Sequence, residues 1–350
     1  MAKSRVVGLD LGSTCVRAAE VELPSGGREP RLLRFGEQPV DHAAMRDGEV
    51  ARPEVVVDAL RALWKRERFT CKDVVLGIGN QRVFVRDLTL PAAPLDQLRA
   101  SLRFGPVQDL LPVRVEDCLL DFYPVATDGV DQVHGMLVAV PEETVEANTS
   151  AAAEAGLRPV RVDLNAFGLL RALVHGDSTD RVVGIVDVGA AITDILVVDH
   201  GVLRLYRTLP TGSQDVAASL KQALAVSDQV ADEVKRTYGI VAAASAAAEV
   251  AQAVEVMTRR VRMLSDAVHA SFSYYSGATG RAVERLLLAG RGARMPGLGQ
   301  YLSTALGVPA AFATADAHLA LGRDLSAPDV LERVRPVLPV AVGLARGAAA

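Results

Sequence analysis

One short pattern occurs twice in this chain. VVGLDLGSTC, residues 6–15, sets an aspartate between an apolar run and a glycine-bearing turn, and VVGIVDVGAAIT, residues 182–193, repeats the arrangement. Asp10 and Asp187 stand 177 residues apart, as do Gly12 and Gly189, and each copy runs on into a second β-rich stretch, VRAAEVEL or DILVVDHGVLRL. Duplication of a strand-turn-strand hairpin at this distance predicts a fold built twice over, with two related lobes.

The aspartate is the informative residue. A carboxylate at the end of a buried strand needs compensation, and none of the six residues after Asp10 is basic, so the compensating charge is expected from outside the hairpin. Gly12, Ser13 and Thr14 form a turn whose backbone N–H groups and hydroxyls can wrap phosphate oxygens. Two such turns facing across a cleft would grip a polyphosphate from both sides. Asp10 and Asp187 would repel that anion unless a hard, partly hydrated cation such as Mg²⁺ lay between them. The expected partner of Asp10 is therefore a hydrated metal ion that arrives with a nucleotide. A single aspartate in a turn is explained as well by a bond to its own backbone; the repeat argues against that explanation.

A third element points the same way. RLLLAGRGARMPGLGQYLSTALGVP starts as a buried strand, passes Gly290, Gly292, Pro296 and Gly297, and enters a helix near Leu298. Glycines at a strand-to-helix corner permit close approach of a flat ligand such as a purine, with Arg291 and Met295 placed to cover its face. A tight α/β turn accounts for the same glycines when they are read alone. The spacing is not that of a dinucleotide fingerprint, and the absence of GxxxxGK[ST] excludes a P-loop.

The bounds agree with a globular, nucleotide-handling chain. At 350 residues it exceeds the usual single domain. Its formal charge of −4 and pI near 5.9 leave no basic stripe for nucleic acid. Lys65, Arg66 and Arg68 are read as favourable charge at a helix C-terminus. Cys15, Cys71 and Cys118 form no CxxC pair and read as small core residues in a reducing compartment. The six histidines make no ligand pair. No signal peptide is expected, because Asp10 interrupts the N-terminal apolar run, and Asp187 and Asp194 interrupt the longest oily run, 182–198. A cytoplasmic protein follows, with any membrane contact made through a partner.

Strand and helix signals alternate throughout, which makes the fold class α/β. RPEVVVDALRALWKRERF reads as a helix with Pro53 in its first turn, and PEETVEANTSAAAEAG as another closed by Gly156. Residues 240–270 read as a long Ala-rich helix whose Val250, Val254, Met257, Val261 and Leu264 form a packing stripe.

GLDLGSTCVRAAEV, VDVGAAITDILVV and LLLAGRGARMPGL, in this order, resemble the first phosphate, second phosphate and adenosine motifs of the actin-like ATPase superfamily. Within it, MRDGEVARPEVVVDALRALW, VFVRDLTLPAAPLDQLRASLRFGPVQDLLP and VLPVAVGLARG are similar to the PilM family of type IV pilus assembly and twitching motility. The resemblance implies a duplicated, ribonuclease H-like two-lobed fold around a central nucleotide cleft. It implies a lobe 1 core at 1–80 with 161–180 and about 326–350, and an inserted subdomain at 81–160. Lobe 2 would comprise 181–236 with 285–325, and a helical subdomain 237–284. It implies ATP with Mg²⁺ as cofactors: Asp10, Gly12, Ser13 and Thr14 at the first phosphate turn, Asp187 and Gly189 at the second, Asp10 and Asp187 beside the metal. ADEVKRTYG would place Asp232, Lys235 and Arg236 at ribose and base, and Gly290, Arg291, Gly292 and Met295 would form the adenosine turn.

Two departures bear on turnover. Ala190 and Ala191 replace glycine, and Asn165 stands where hydrolysing members carry Glu or Gln. Asn reaches less far and is no base at neutral pH, so binding with slow or absent hydrolysis is expected. The family also implies that the groove beside the insertion receives the cytosolic N-terminal tail of a PilN-like inner-membrane protein. SLRFGPVQDLLP is read as an amphipathic helix, with Leu102, Leu110 and Leu111 either flooring that groove or forming the subdomain's own core. Two other classes share the fold. An FtsA-like division actin would carry a C-terminal amphipathic membrane helix, for which PVLPVAVGLARGAAA lacks the charged face. A small-molecule kinase would need a catalytic base in the cleft.

Overall fold

A computed structural model describes residues 4–23, 29–46, 48–104, 106–128, 131–241, 247–322 and 325–349. The first hairpin forms as β1 (Ser4–Leu11) and β2 (Cys15–Leu23), followed by β3 (Arg31–Pro39). A short pair, β4 (Met45–Arg46) and β5 (Glu49–Val50), leads into α1 (Pro53–Glu67) and β6 (Asp73–Ile78). Pro53 supplies the fixed φ of a first helical turn, while Val56, Leu60 and Leu63 bury one face of α1.

A separate three-stranded sheet comes next, built from β7 (Phe84–Pro91), β8 (Cys118–Asp128) and β9 (Gln132–Pro141) in the order β7-β9-β8, with α2 (Leu95–Ser101) between its first two strands. Expected as one helix, 101–112 instead forms short 3₁₀ turns at Leu102–Phe104 and Pro106–Leu110, with Gly105 outside the described residues. Pro106 explains the break, since a helix cannot continue through it without losing a hydrogen bond. Leu102 and Leu111 are buried in this unit's own core beside Phe122 and Leu137, with Leu110 packed against it.

The chain then passes through α3 (Glu142–Glu154), β10 (Arg158–Leu164) and α4 (Asn165–Leu173). The second hairpin, β11 (Val182–Val188) with β12 (Thr193–Asp199), is followed by β13 (Val202–Leu209) and three helices, α5 (Ser213–Leu224), α6 (Asp228–Tyr238) and α7 (Ala248–Thr279). Of the helix read over 240–270, residues 242–246 lie outside the described residues; Met257 and Val261 are buried as the packing stripe requires. β14 (Arg285–Ala289) leads to α8 (Leu298–Leu306) and β15 (Ala310–Phe312), then β16 (Ala320–Leu321), α9 (Pro328–Val334) and α10 (Leu338–Arg346).

The duplication is visible in the sheets. One runs β10-β6-β1-β2-β3-β16 and the other β13-β12-β11-β14-β15. In each, the hairpin's first strand is antiparallel to its second and parallel to a later strand, β6 in one case and β14 in the other. Both hairpins therefore present their turns in the same direction relative to their own sheet. Among the described residues, no helix is long and apolar enough to cross a membrane.

α4 carries the chain from the first sheet to the second, and it crosses α10, packed on the first sheet, at glycines. Every residue of α10 from Leu338 to Ala345 is buried, which explains its lack of a polar face. A Cβ added to Gly343 would come 1.8 Å from the Gly168 carbonyl oxygen of α4, and one added to Gly8 of β1 would come 1.8 Å from the Ala341 oxygen. Backbone touches backbone at both points, so neither site can yield by moving a side chain. Gly343→Ala is expected to lower the unfolding free energy by about 3 kcal/mol. Gly277→Ala, in α7 with nothing within 4 Å of the added methyl, is expected to raise it by about 0.5 kcal/mol. Urea unfolding of both variants checks the pair.

Candidate functional site

The two hairpin turns are built alike. Gly12 donates its N–H to the Cys15 carbonyl at 3.1 Å, and Gly189 donates to the Ile192 carbonyl at 2.9 Å, each bond closing a two-residue turn. The second turn is also tied to the start of α5, because Ser213 N–H and Gln214 N–H donate to the carbonyls of Gly189 and Ala190 at 3.0 and 2.8 Å. Gly212 allows this approach: a Cβ there would lie 2.3 Å from the Ala190 oxygen.

Both turns open onto one cleft of about 510 Å³ between the two sheets. Asp10, Gly12, Ser13 and Thr14 line it from the first turn, Asp187 and Gly189 from the second. Asp232, Lys235 and Arg236 reach it from α6, and Gly290, Arg291, Gly292 and Met295 from the corner between β14 and α8. All thirteen residues singled out in the sequence thus meet at one place. Lys235 is anchored by Asp232 at 2.6 Å and by the Ser213 carbonyl at 3.0 Å, which docks α6 on the start of α5. Gly290 adopts φ +80°, where a Cβ would strike the Val188 carbonyl at 2.3 Å, so only glycine turns this corner against β11.

The partner of Asp10 corrects the expectation that its counter-charge comes from outside the hairpin. Arg17 lies directly across from it in the β1–β2 pairing and places Nη1 3.2 Å from Asp10 Oδ2. The reason is register: in a two-residue hairpin the residue seven positions on stands opposite, although it lies beyond the local window in sequence. Arg17 lines the cleft as well. Burial nevertheless raises the Asp10 carboxyl above its ordinary range, with Arg17 opposing that rise.

The second hairpin has no such cation. Asp187 pairs with Asp194 in the β11–β12 register, and both line the cleft. Burial raises Asp187 to about 7, with further upward pushes from the Asp194 and Asp10 charges. Asp194 is raised to about 6, again chiefly by burial, although it accepts hydrogen bonds from Tyr206 Oη and Thr208 Oγ1, each at 3.0 Å. Like charges crowded together in this way oppose the loss of the last protons from Asp187 and Asp194.

Asn165, the first residue of α4, also lines the cleft. It is wedged over Gly77 and Gly79, where Cβ atoms would come 2.2 Å from Oδ1 and 2.5 Å from Nδ2. Its Oδ1 is buried without a hydrogen-bond partner. Three contributors were missed in the sequence: Arg17; Arg294, whose guanidinium sits 4.3 Å from the centre of the Phe312 ring; and the 336–340 stretch at the start of α10. The seven-residue offset could have exposed Arg17. The 336–340 stretch carries no local signal because its place depends on α10 returning to the first sheet.

The family model for the type IV pilus assembly protein PilM matches residues 8–347. The chain belongs to the PilM family. Membership is consistent with the full-length similarity to a solved PilM-PilN type IV pilus biogenesis complex, with TM-score 0.88 at 24% identity over 100% of both chains. The fold of the PilM family is shared with MreB 5 of Spiroplasma citri bound to AMPPNP, with TM-score 0.55 at 15% identity, covering 88% of this chain and 91% of that one. The chain is also 23% identical over 254 residues to the cell division protein FtsA of Neisseria meningitidis serogroup B, which covers 66% of this chain. It spans 61% of that relative's length. The fold is therefore the actin-like one.

The acids of this PilM-family cleft set a pH dependence. Between the unfolded carboxylate range near 4 and the folded values of about 6 and 7, the folded protein holds protons that the unfolded chain has lost. Stability of the ligand-free protein therefore falls as pH rises through that window. Melting temperature is expected to drop by a few degrees between pH 5 and pH 7.5, and Asp187→Asn to flatten that slope.

Proposed function

We propose that the cleft binds ATP with Mg²⁺ and that this cytoplasmic protein acts as an ATP-binding scaffold of type IV pilus assembly. In that role it recruits the cytosolic tail of a PilN-like inner-membrane protein and so sits at the membrane through its partner. One observation carries the nucleotide reading: two equivalent turns, each with an acid at its mouth, face a single cleft that also receives the β14–α8 corner.

The donor set suits a magnesium nucleotide. Asp187 has a raised carboxyl beside two other acids, so an added dication relieves like-charge repulsion. Among the described residues, no three carboxylate, imidazole or thiolate groups are disposed to enclose a metal. Mg²⁺ would accordingly be held through Asp10 and Asp187 with retained waters and phosphate oxygens. When bound, the ion neutralises phosphate charge. Ser13 and Thr14 would support the phosphates from the first turn, and Arg17 supplies a fixed positive charge beside them. Arg291 and Met295 would flank the base, with Asp232, Lys235 and Arg236 along its edge and ribose.

Asn165 supports the expectation of slow turnover. Even beside a bound water, a neutral amide cannot act as the base that removes its proton. The partner reading is supported by family membership and by the solved PilM-PilN complex that the chain resembles over its whole length. The inserted unit carries Leu95, Phe104 and Leu119 exposed, Phe104 at 90%, which supports an apolar tail docking there.

Three measurements test these proposals. Asp10→Ala is expected to abolish Mg·ATP binding in calorimetry, and unchanged affinity would overturn the nucleotide reading. Steady-state phosphate release by the purified protein is expected to stay well below 1 per second, the low end of ordinary enzyme turnover. Phe104→Ser with Leu119→Ser is expected to weaken capture of a PilN-like tail peptide about tenfold while leaving ATP affinity unchanged.

A further inference from the structure

Glu37 extends the charged row that begins at Asp10. It stands opposite Arg17 in the β2–β3 pairing, as Asp10 does in the β1–β2 pairing, so the three side chains line up across neighbouring strands. Arg17 is divided between its neighbours, with Nη1 3.2 Å from Asp10 Oδ2 and Nε 3.5 Å from Glu37 Oε2. That Nε is shut off from solvent and makes no hydrogen bond, so its hold on Glu37 is purely a charge interaction. The other oxygen of Glu37, Oε1, accepts a hydrogen bond from Arg291 Nη2 at 2.7 Å. Arg291 belongs to the β14–α8 corner of the opposite sheet, so this ion pair spans the two halves of the fold.

Glu37 is fixed in place and charged. Arg66 at the end of α1 donates to its backbone carbonyl, and Cys15 Sγ lies 3.8 Å from Oε2. Burial pushes its carboxyl up, but the hydrogen bond and charge of Arg291 with the charge of Arg17 outweigh that and lower it. Two guanidiniums, one from each half, thus converge on a single carboxylate. One of them also faces the first phosphate turn.

We propose that Glu37 is a positioning residue that couples the phosphate turn to the opposite half of the molecule. This rests on reading the cleft as a nucleotide site. A phosphate at residues 12–14 attracts the Arg17 guanidinium and weakens its share in Glu37, which leaves the carboxylate to Arg291. The pair between the halves is then strongest when the site is filled, by linkage it raises affinity for the ligand, and that gain is expressed mainly as slower departure. Arg291 is more than half exposed, so solvent screening limits the effect to that of a surface pair, about fivefold in rate. Glu37 thereby tunes how long the ligand stays and does not decide whether it binds.

The test follows release of a fluorescent ATP analogue with Mg²⁺ from the wild type, Glu37→Gln, Arg291→Gln and the double variant. Glu37→Gln is expected to speed release about fivefold, and the double variant is expected to be no faster than the faster single one, as for two residues acting through one contact. Hydrogen exchange over 289–297 is expected to slow on adding Mg·ATP to the wild type and to change little in Glu37→Gln. Melting temperatures of the ligand-free variants report folding separately. Wild-type release from Glu37→Gln, or effects that multiply in the double variant, would overturn the coupling and leave the nucleotide reading standing. Failure of the wild type to bind the analogue would overturn both.

Discussion

The row Asp10–Arg17–Glu37, drawn across three adjacent strands, is the contact on which the first half of the cleft depends. An ionised aspartate facing a partly closed cavity is costly in a buried strand unless a cation shares its surroundings. Hairpin register delivers that cation without a loop or a second domain, because the residue opposite Asp10 is set by the length of the turn alone. A one-residue change in the turn would put Arg17 on the other face of the sheet. The Gly12-to-Cys15 bond that closes the turn therefore also determines the electrostatics of the site.

The duplicate hairpin shows what happens when the same register carries different residues. Arg17 and Asp194 occupy corresponding places, each opposite the leading aspartate of its hairpin. One half thus supplies an internally neutralised acid, and the other supplies two acids whose carboxyls burial has raised to about 7 and about 6. Tyr206 and Thr208 both donate to Oδ1 of Asp194 but bring no charge. The backbone is symmetric across the cleft and the charge is not. A cation drawn between the halves is pulled toward Asp187, while an anion finds Arg17 on the opposite wall.

Much of this was legible in the sequence because it is local. Asp-x-Gly between apolar runs, the glycines that turn a strand into a helix, and Pro53 at a helix start each carry their meaning within a few residues. Arg17, Glu37 and the 336–340 stretch escape a residue-by-residue reading, since their roles arise from strand pairing and from the packing of α10 against the first sheet. The same limit explains 101–112. Leu102, Leu110 and Leu111 have helical spacing, but Pro106 breaks the segment and the three-stranded sheet draws the leucines into its own core. Periodicity reported that these residues face something apolar without identifying what they face.

The aim of the first turn depends on a different constraint. α4 and α10 both pack on the first sheet, and the two meet where Gly168 and Gly343 leave no room for a Cβ. α10 also lies against β1, whose Gly8 admits the Ala341 carbonyl two residues before Asp10. The strand that aims Asp10 into the cleft is thus held by the helix whose first turn lines that cleft at Pro339 and Val340. Close-packed backbone transmits displacement with little compliance. α4, α10 and β1 are therefore locked together as one body on the first sheet, and the position of the first carboxylate is tied to that of the cleft wall at Pro339 and Val340.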